Sequence, residues 1–261
     1  MKVWAVANQK GGAGKTTTAV TLGGLLAARG YKTLLVDIDP HGSLTSYFGY
    51  SAEAVERGVY TLFQDRESDP FTLVSPTRFD NLQILSASMA LATLDRQLGT
   101  QSGMGLVLHK ALKQLSGRYD YALIDCPPVL GVLMVNALAA CDHLLIPVQT
   151  EFLALKGLER MLRTLSMITR SRNIKLPFTI VPTMFDRRTR ASTDALQQLQ
   201  SEHQGDVWSS VVPIDTKFRE ASREGVPLSI MLPQARGAVA YHQLLDVLLS
   251  DADGRRRPMA L

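Results

Sequence analysis

The chain has 261 residues, of which 46% are hydrophobic and 20% are charged, so its composition is that of a globular protein and excludes a disordered or collagen-like chain. Its net charge of +4 gives only a weak preference for polyanionic partners. Two cysteines exclude a disulfide framework, and polar residues interrupt both the N-terminal stretch by Asn8 and the most apolar long stretch at 129–148. We therefore expect a soluble cytoplasmic protein without a signal peptide or a membrane span.

Short apolar runs alternate with helix-like segments along the whole chain. The strand-like runs lie at 3–8, 32–37, 82–87, 121–126, 143–148, 178–183 and 207–212. The helix-like segments lie near 15–29, 102–116, 130–140, 152–171, 190–203 and 237–250. Because the strands are continuously apolar, both of their faces are expected to be buried, as in a mainly parallel sheet. The sequence therefore predicts a single doubly wound α/β domain over 1–250, with helices on both faces of the sheet, ligands at the carboxyl ends of its strands, and a flexible basic tail over 251–261.

The first predicted strand leads into NQKGGAGKTTT, at residues 8–18, which departs from the generic phosphate loop in two ways. The pattern G-x-x-x-x-G-K-[ST] requires a glycine at position 9, where this chain has Gln9. The next residue is a lysine, Lys10, for which the generic pattern has no role. The stretch is therefore either a degenerate nucleotide site or a variant that uses two lysines.

The order of strand, glycine-rich turn and helix is nevertheless the one that a phosphate loop requires. Gly11, Gly12 and Gly14 allow backbone N–H groups to converge on phosphate oxygens, at a helix N-terminus whose partial positive charge favours anions. Lys15 is then expected to reach the β- and γ-phosphates, and the hydroxyl of Thr16 is expected to ligate Mg²⁺. The sequence predicts a nucleotide site with a bound magnesium ion.

Aspartates follow two further strands in the order that such a site needs. The segment LLVDIDPHGS (34–43) ends a strand with Asp37 and Asp39, and YALIDCPP (121–128) ends another with Asp125. Because Mg²⁺ keeps several of its waters, one hydroxyl with nearby carboxylates is a sufficient contribution from the protein. A single aspartate at a strand end is often only a cap, whereas three such elements in this order favour the magnesium–nucleotide site.

Six stretches of the chain together resemble the ParA/MinD ATPases, whose deviant Walker A motif has a signature lysine before its two glycines. The resemblance implies a deviant P-loop fold and extends from residue 1 to about residue 245, so it covers nearly the whole chain. The stretches are KGGAGKTT (10–17), DIDPHGS (37–43), DCPPVLGVLMVNAL (125–138), IPVQTEFLALKGL (146–158), PTMFDRRT (182–189) and the segment from VPIDTKFREA to RGAVAYHQL (212–244).

The resemblance gives the additional lysine a function. In these ATPases two subunits enclose two ATP molecules face to face, and the signature lysine reaches the partner's phosphates. For this chain the resemblance implies that Lys10 acts in trans, on the nucleotide of the partner subunit, that Lys15 acts in cis, on the nucleotide of its own subunit, and that Thr16 holds Mg²⁺. Slow hydrolysis would then depend on an ATP-induced homodimer and would reset it to monomers. The implied nucleotide-binding residues are Lys10, Gly11, Gly12, Ala13, Gly14, Lys15, Thr16, Thr17, Pro213 and Asp215.

The resemblance also assigns the three aspartates. It implies that Asp39 orients the attacking water and that Asp37 and Asp125 hold the water shell of the metal. Two residues depart from the family's pattern. Ala13 replaces a valine, which we expect to be harmless in a turn. His41 stands where the family has glutamine, and it is either a source of pH sensitivity or a tolerated substitution.

Positive charge is concentrated at 156–190, where nine basic residues and two acids give a net charge of +7, so the rest of the chain is at −3. The segment lacks interleaved aromatic residues and a base-reading helix, which fits contacts to the phosphate backbone rather than sequence readout. We therefore expect nonspecific DNA binding by the ATP dimer, with a merely solvated helix face as the alternative. The residues expected to contact DNA are Arg163, Arg187, Arg188, Lys217 and Arg219.

Two other functions within this group of ATPases are less well supported by the residues. A MinD-like membrane switch would end in an amphipathic targeting helix, whereas the last helix here ends with Asp246, Asp251 and Asp253, so no membrane partner is expected. A redox ATPase of the nitrogenase iron-protein kind would bridge a metal cluster through glycine-flanked cysteines. Cys126 follows the strand that ends at Asp125 and Cys141 lies at a helix end, so both are expected to be core thiols.

The stretches at 1–17 and 39–50 are most similar to ParA-like proteins of the ParC type, which place chemotaxis arrays at bacterial cell poles. This similarity implies that the cargo is a polar chemotaxis array, with chromosome or plasmid partition as the alternative. It also implies a cargo adaptor or ATPase-stimulating partner, which the residues do not identify. The protein is then expected on the nucleoid or at a cell pole.

Overall fold

A seven-stranded sheet forms the centre of the computed structural model, which describes residues 1–97, 104–172 and 176–252. In chain order the strands are β1 (Lys2–Val6), β2 (Thr33–Asp37), β3 (Val74–Pro76), β4 (Leu82–Leu85), β5 (Tyr121–Asp125), β6 (His143–Gln149) and β7 (Phe178–Thr183). They lie side by side in the order β3-β4-β2-β5-β1-β6-β7. Only the short edge strand β3 is antiparallel to its neighbour, so the predicted doubly wound, mainly parallel sheet is confirmed.

Helices cover both faces of this sheet. They are α1 (Lys15–Ala28), α2 (Ser43–Tyr47), α3 (Val59–Gln64), α4 (Leu91–Gln97), α5 (Val107–Leu115), α6 (Val132–Ala140), α7 (Phe152–Arg172), α8 (Arg190–Glu202), α9 (Lys217–Glu224), α10 (Leu228–Met231) and α11 (Arg236–Ala252). Single turns of 3-10 helix lie at Pro70–Leu73 and Met104–Leu106. Among the described residues, no helix combines the length and apolar character that a membrane span needs.

The alternation of side chains along each strand divides the apolar residues between two cores. In β1, Val3 and Ala5 pack into the core that α3, α5, α6 and α7 cover. Trp4 and Val6 point to the opposite face and pack under α1 and α11. Because both faces are buried, the strands are apolar at nearly every position, which is why they could be recognised in the sequence. Each fully buried aliphatic side chain contributes roughly 1.5–3 kcal/mol to folding.

One predicted strand is wrong. Residues 207–212 run beside β7 but form only an isolated bridge from Val207 to Ile180. Trp208 N–H donates to the Ile180 carbonyl and Val212 N–H donates to the Pro182 carbonyl, while bends at 209 and 210 separate these contacts. The segment is therefore anchored at its two ends and does not form a continuous ladder.

The ends of two predicted helices also differ from the structure. The helix expected near 102–116 contains a 3-10 turn and then α5, which begins at Val107, and its first residues, 102 and 103, lie outside the described residues. The last helix extends to Ala252, which is two residues into the segment predicted as a tail. The remainder of that segment, 253–261, also lies outside the described residues.

Candidate functional site

The carboxyl ends of the parallel strands meet at one edge of the sheet, where the loops that follow them surround a cavity of about 970 Å³. Of the predicted nucleotide-binding residues, eight line this cavity, and they are Gly11, Gly12, Gly14, Lys15, Thr16, Thr17, Pro213 and Asp215. Ala13 is buried beneath the glycine turn, where its carbonyl accepts a hydrogen bond from the Thr183 hydroxyl at 3.0 Å. The structure thus brings most of the predicted site together.

The glycine turn after β1 is open on the side that faces the cavity. Gly12 and Gly14 have φ angles of +75° and +95°, which an L-residue with a side chain rarely adopts. A Cβ atom placed on Gly11, Gly12 or Gly14 would have no other atom within 4 Å, so the concave side of the turn is empty. Helix α1 begins at the end of this turn without a side-chain cap, so its first N–H groups are available to an anion.

The two lysines of the turn point to different places. Lys15 is buried, and its ammonium donates to the Lys10 carbonyl at 3.3 Å, so it spans the turn from below. The Lys10 ammonium instead forms an ion pair with Glu151, immediately before α7. The Lys10 backbone N–H donates to Asn8 Oδ1 at 3.0 Å, and Asn8 Nδ2 donates to the Pro147 carbonyl at 2.7 Å. In the single chain, Lys10 is therefore held by its own subunit.

Thr16 and Asp125 form the part of the site that fits a hydrated magnesium ion. The Thr16 hydroxyl donates to Asp125 Oδ2 at 2.6 Å, while the buried Oδ1 of Asp125 has no hydrogen-bond partner among the described residues. Burial, together with the negative charge of Asp37, raises the pKa of Asp125 well above its usual value. A cation nearby would stabilise the ionised carboxylate, and hydroxyl and carboxylate oxygens are ligands that magnesium and its waters accept.

Asp37 accepts hydrogen bonds from the loop that follows β2. This aspartate is fully buried at the end of β2, next to Asp125 at the end of β5. Its Oδ1 accepts from the Asp39 N–H at 3.1 Å, and its Oδ2 accepts from the N–H and the hydroxyl of Thr45 at 2.8 and 2.7 Å. Both oxygens are thus occupied by donors of the chain itself, and burial raises the pKa of Asp37 to about 7. These hydrogen bonds tie Asp37 to the loop after β2, and its expected part in holding the metal's water shell stays a prediction.

Asp39 and His41 lie on this loop and line the cavity. Asp39 Oδ1 accepts from the His41 N–H at 3.0 Å and lies 2.9 Å from His41 Nδ1. These contacts place both donors on one oxygen of Asp39. Within the described ranges its Oδ2 has no hydrogen-bond partner, so this oxygen is available to a water molecule.

The far end of the cavity has walls that the motif does not describe. Asp215 Oδ1 accepts from the Lys217 N–H and its Oδ2 accepts from the Gly237 N–H, both at 3.0 Å, so this carboxylate ties α9 to the start of α11. Sequence reasoning missed Met184 and Tyr241, which also line the cavity. Met184 has a φ of +53°. Both residues lie in stretches that carry the family resemblance, but the resemblance assigned neither of them to the site, and only the tertiary structure places them at the cavity.

The predicted DNA-contacting residues do not form one uniform surface. Arg163 on α7 is 76% exposed and lies 3.6 Å from Glu159, and Arg187 is also exposed. Arg188 forms an ion pair with Asp186, and Lys217 pairs with Glu220, each at 2.8 Å, so part of their charge is already compensated. Arg219 instead lines the cavity.

Both thiols are shielded from reaction. Cys126 is fully buried and Cys141 is partly buried, and burial raises the pKa of each thiol above its usual value. Among the described residues, no group of three or more histidine, cysteine, aspartate or glutamate side chains could hold a metal ion by itself. Ligands for a magnesium ion at Thr16 would therefore have to come in part from phosphates and water.

Proteins that are similar to this chain in sequence and in fold support the nucleotide site that the geometry indicates. Residues 1–178 match a protein-family model described as an AAA domain. The chain is 38% identical over 244 residues to the sporulation initiation inhibitor protein Soj of Bacillus subtilis, covering 93% of this chain and 96% of that protein. It is 34% identical over 263 residues to the chromosome partitioning protein ParA of Caulobacter vibrioides (strain NA1000 / CB15N), covering 100% and 98%.

A solved structure extends the similarity to three dimensions. Cobyrinic acid a,c-diamide synthase from Mycobacterium smegmatis, crystallised with bound ADP and magnesium, matches with a TM-score of 0.85 and 33% identity over 98% of each chain. The family model covers more than half of this chain, and the two curated relatives exceed 30% identity over nearly their full length. With the phosphate loop, the strand-end aspartates and the sheet order in place, the chain belongs to the ParA family of ATPases.

Proposed function

We propose that this chain is a magnesium-dependent ATPase that dimerises on ATP, binds DNA nonspecifically as a dimer, positions a cellular cargo and returns to the monomer after hydrolysis. The observation that carries the nucleotide part is the Oδ1 of Asp125, which has no hydrogen-bond partner in the described part of the chain and lies beside the Thr16 hydroxyl at the foot of an open glycine turn. A buried carboxylate oxygen without a donor is costly, and that cost is removed when a hydrated cation is bound there.

Each polar group of the site has a part in phosphoryl transfer to water. The N–H groups at the start of α1 bind the β-phosphate, and Lys15 compensates the charge that spreads over the γ-phosphate in the transition state. Thr16 and Asp125 would hold Mg²⁺ and its waters, and the ion would supply Lewis-acid stabilisation of the phosphate oxygens. Asp39 orients the attacking water through its Oδ2, which no other group of the described residues binds.

The ion pair between Lys10 and Glu151 explains why the monomer should hydrolyse ATP slowly. While Lys10 is paired within its own subunit, it does not contribute charge to a partner's phosphates. We infer that on dimerisation the Lys10 ammonium leaves Glu151 and contacts the nucleotide bound to the second subunit, so that Lys10 then acts in trans. Removal of one well-placed donor of this kind typically costs about 10²–10³ in rate, which is enough to separate monomer from dimer.

Turnover by three forms of the full chain tests the proposed ATPase. The wild type should hydrolyse ATP slowly with Mg²⁺, Lys15→Ala should lose ATP binding, and Asp39→Ala should bind ATP and persist as a dimer that does not turn over. Sedimentation with ATP separates the last two variants. A monomeric Asp39→Ala that hydrolyses ATP at the wild-type rate would contradict the mechanism.

Nonspecific DNA binding is supported by the exposed face of α7. Lys156, Arg160, Arg163 and Arg170 are exposed along this helix at spacings of three to seven residues, which places them on one side. A face of this kind contacts phosphates, so affinity should fall steeply with salt and be insensitive to sequence. In a plot of the logarithm of the DNA-binding constant against the logarithm of the salt concentration, Arg163→Ala should make the downward slope less steep by about one. A slope unchanged by Arg163→Ala would remove this residue from the proposed surface.

There are two candidates for the cargo that the ATPase positions. Similarity at 1–17 and 39–50 favours polar chemotaxis arrays, as in the ParC type. The names of the relatives, which include a chromosome partitioning protein, support chromosome or plasmid partition about equally. A cargo adaptor that stimulates hydrolysis is part of both proposals. Imaging of the tagged protein in cells together with chemoreceptor and replication-origin markers distinguishes them, because foci follow one marker or the other.

A further inference from the structure

The loop from Ile38 to Leu44 carries the proposed water-orienting residue, and one carboxylate closes this loop at both ends. Asp37 accepts from the Asp39 N–H at the beginning of the loop and from the Thr45 N–H at its end. Between them, the Gly42 N–H donates to the Asp39 carbonyl at 2.8 Å, which forms a tight turn. Asp39 is therefore placed by hydrogen bonds that converge on Asp37.

The turn is packed closely against Ala52, which follows α2 in the chain. Gly42 has a φ of +60°, and a Cβ atom at this position would lie 2.4 Å from the Ala52 side chain. Helix α2 has only five residues, which is too short to be stable by itself. Its third residue is Thr45, so the bond from the Thr45 N–H to Asp37 caps the start of α2 with a carboxylate from the sheet.

The hydroxyl of Thr45 joins this assembly to the neighbouring strand. It donates to Asp37 Oδ2 at 2.7 Å and accepts from the Ala87 N–H, just beyond β4, at 2.9 Å. Thr45 is fully buried, so water does not compete for either bond. The hydroxyl thus uses its donor and an acceptor position at once and links α2, β2 and the end of β4 through a single atom.

We propose that Thr45 is a positioning residue for ATP hydrolysis, because its hydroxyl fixes the Asp37 carboxylate and thereby the loop that carries Asp39. This proposal rests on the proposed ATPase function, in which Asp39 orients water. Thr45 does not line the cavity, so it acts through Asp37 and the loop and not on the nucleotide.

Two substitutions separate the hydroxyl from the shape of the side chain. Thr45→Val keeps the volume and removes both hydrogen bonds of the hydroxyl, while Thr45→Ser keeps the hydroxyl and removes a methyl group. Because a displacement of about 1 Å of a catalytic group costs on the order of 10²-fold in rate, Thr45→Val should lower kcat at least about tenfold. Its dissociation constant for ATP should change less than about twofold, and Thr45→Ser should keep most of the wild-type kcat.

Thr33→Val is the matched control for loss of a buried hydroxyl. Thr33 begins β2 at the opposite end of the same strand, is fully buried, and donates its hydroxyl to the Tyr31 carbonyl at 2.9 Å. This variant should lose stability, as Thr45→Val does, but keep kcat. Thermal melting of all three variants shows whether each is folded at the assay temperature.

Amide hydrogen exchange of the nucleotide-free chain gives a readout that does not depend on turnover. In Thr45→Val, the Ala87 amide loses its acceptor, so amide exchange should accelerate at Ala87 and in the loop at 38–44. In Thr33→Val, exchange at these same positions should equal that of the wild type. Unchanged exchange, unchanged kcat in folded Thr45→Val, or equal losses in Thr45→Ser and Thr45→Val would each overturn the role of Thr45. If instead Asp39→Ala keeps wild-type turnover, the proposed function itself fails, and the role of Thr45 fails with it.

Discussion

Replacement of Glu151 by glutamine should strengthen ATP-dependent dimerisation, because it removes the partner that holds Lys10 in its own subunit. The side chains of Lys10 and Glu151 are 29% and 50% exposed. An ion pair this accessible contributes about 0.2–1 kcal/mol. A symmetric dimer must break one such pair in each subunit, so the total is about 0.4–2 kcal/mol, and the dimer dissociation constant of Glu151→Gln should fall by about 2- to 30-fold.

Sedimentation with a non-hydrolysable ATP analogue at several protein concentrations measures this constant. Glu159→Gln is the matched control, because Glu159 lies on α7, the helix that Glu151 precedes, and pairs with Lys156 and Arg163 rather than with Lys10. The difference between the two variants should shrink in high salt, since exposed pairs are screened. An unchanged or weaker dimer in Glu151→Gln would refute the exchange and would indicate that Glu151 contributes to the assembled site.

Three further predictions concern the phosphate turn and the buried aspartates. Lys15→Ala should abolish ATP binding in a fluorescent-nucleotide titration, and retention of wild-type affinity would show that its ammonium does not contact phosphate. Gly11→Val should still bind nucleotide but fail to dimerise in sedimentation, because bulk at this position would meet the partner subunit, whereas its own chain has no atom within 4 Å of the added Cβ; an ATP dimer of normal affinity would contradict this. The folded-state pKa of Asp37 is raised from 3.8 to about 7, so the nucleotide-free protein should lose stability, relative to Asp37→Asn, as pH rises from about 4 to about 7. Denaturant unfolding at several pH values measures that difference, and a difference independent of pH would contradict the raised pKa.

The elements that were predictable from the sequence are those whose stability is local or whose two faces are buried. The runs that became β1, β2, β5, β6 and β7 are apolar at nearly every position because helices cover both sides of them. Residues 207–212 have a similar composition, yet bends at 209 and 210 limit their contact with β7 to a few bonds. The short helix α2 could not be predicted, since the Asp37 side chain stabilises its first turn.

The features of the candidate site also divide into those that the sequence could predict and those that it could not. Lys15, Thr16 and Asp125 are fixed by a motif or by a strand end, and the structure brings them to one cavity edge or into direct contact. The hydrogen bonds of Asp37 could not be predicted, because its donors are Asp39 and Thr45, eight residues away, and the Thr45 hydroxyl in turn accepts from Ala87, just beyond β4. Hydrogen bonds of this range leave no spacing pattern in a single sequence.

The arrangement of Asp37 and Asp125 links the phosphate end of the cavity to the water-orienting loop. The two residues are register partners at the ends of adjacent strands, and the negative charge of Asp37 makes Asp125 more difficult to ionise. A positive charge beside Asp125 also lies near Asp37, so it favours the ionised form of both carboxyl groups. An ionised Asp37 is a stronger acceptor for the Asp39 N–H and the Thr45 hydroxyl. The loop should consequently be held most firmly when the phosphate end is occupied, which is the state in which a positioned Asp39 is needed.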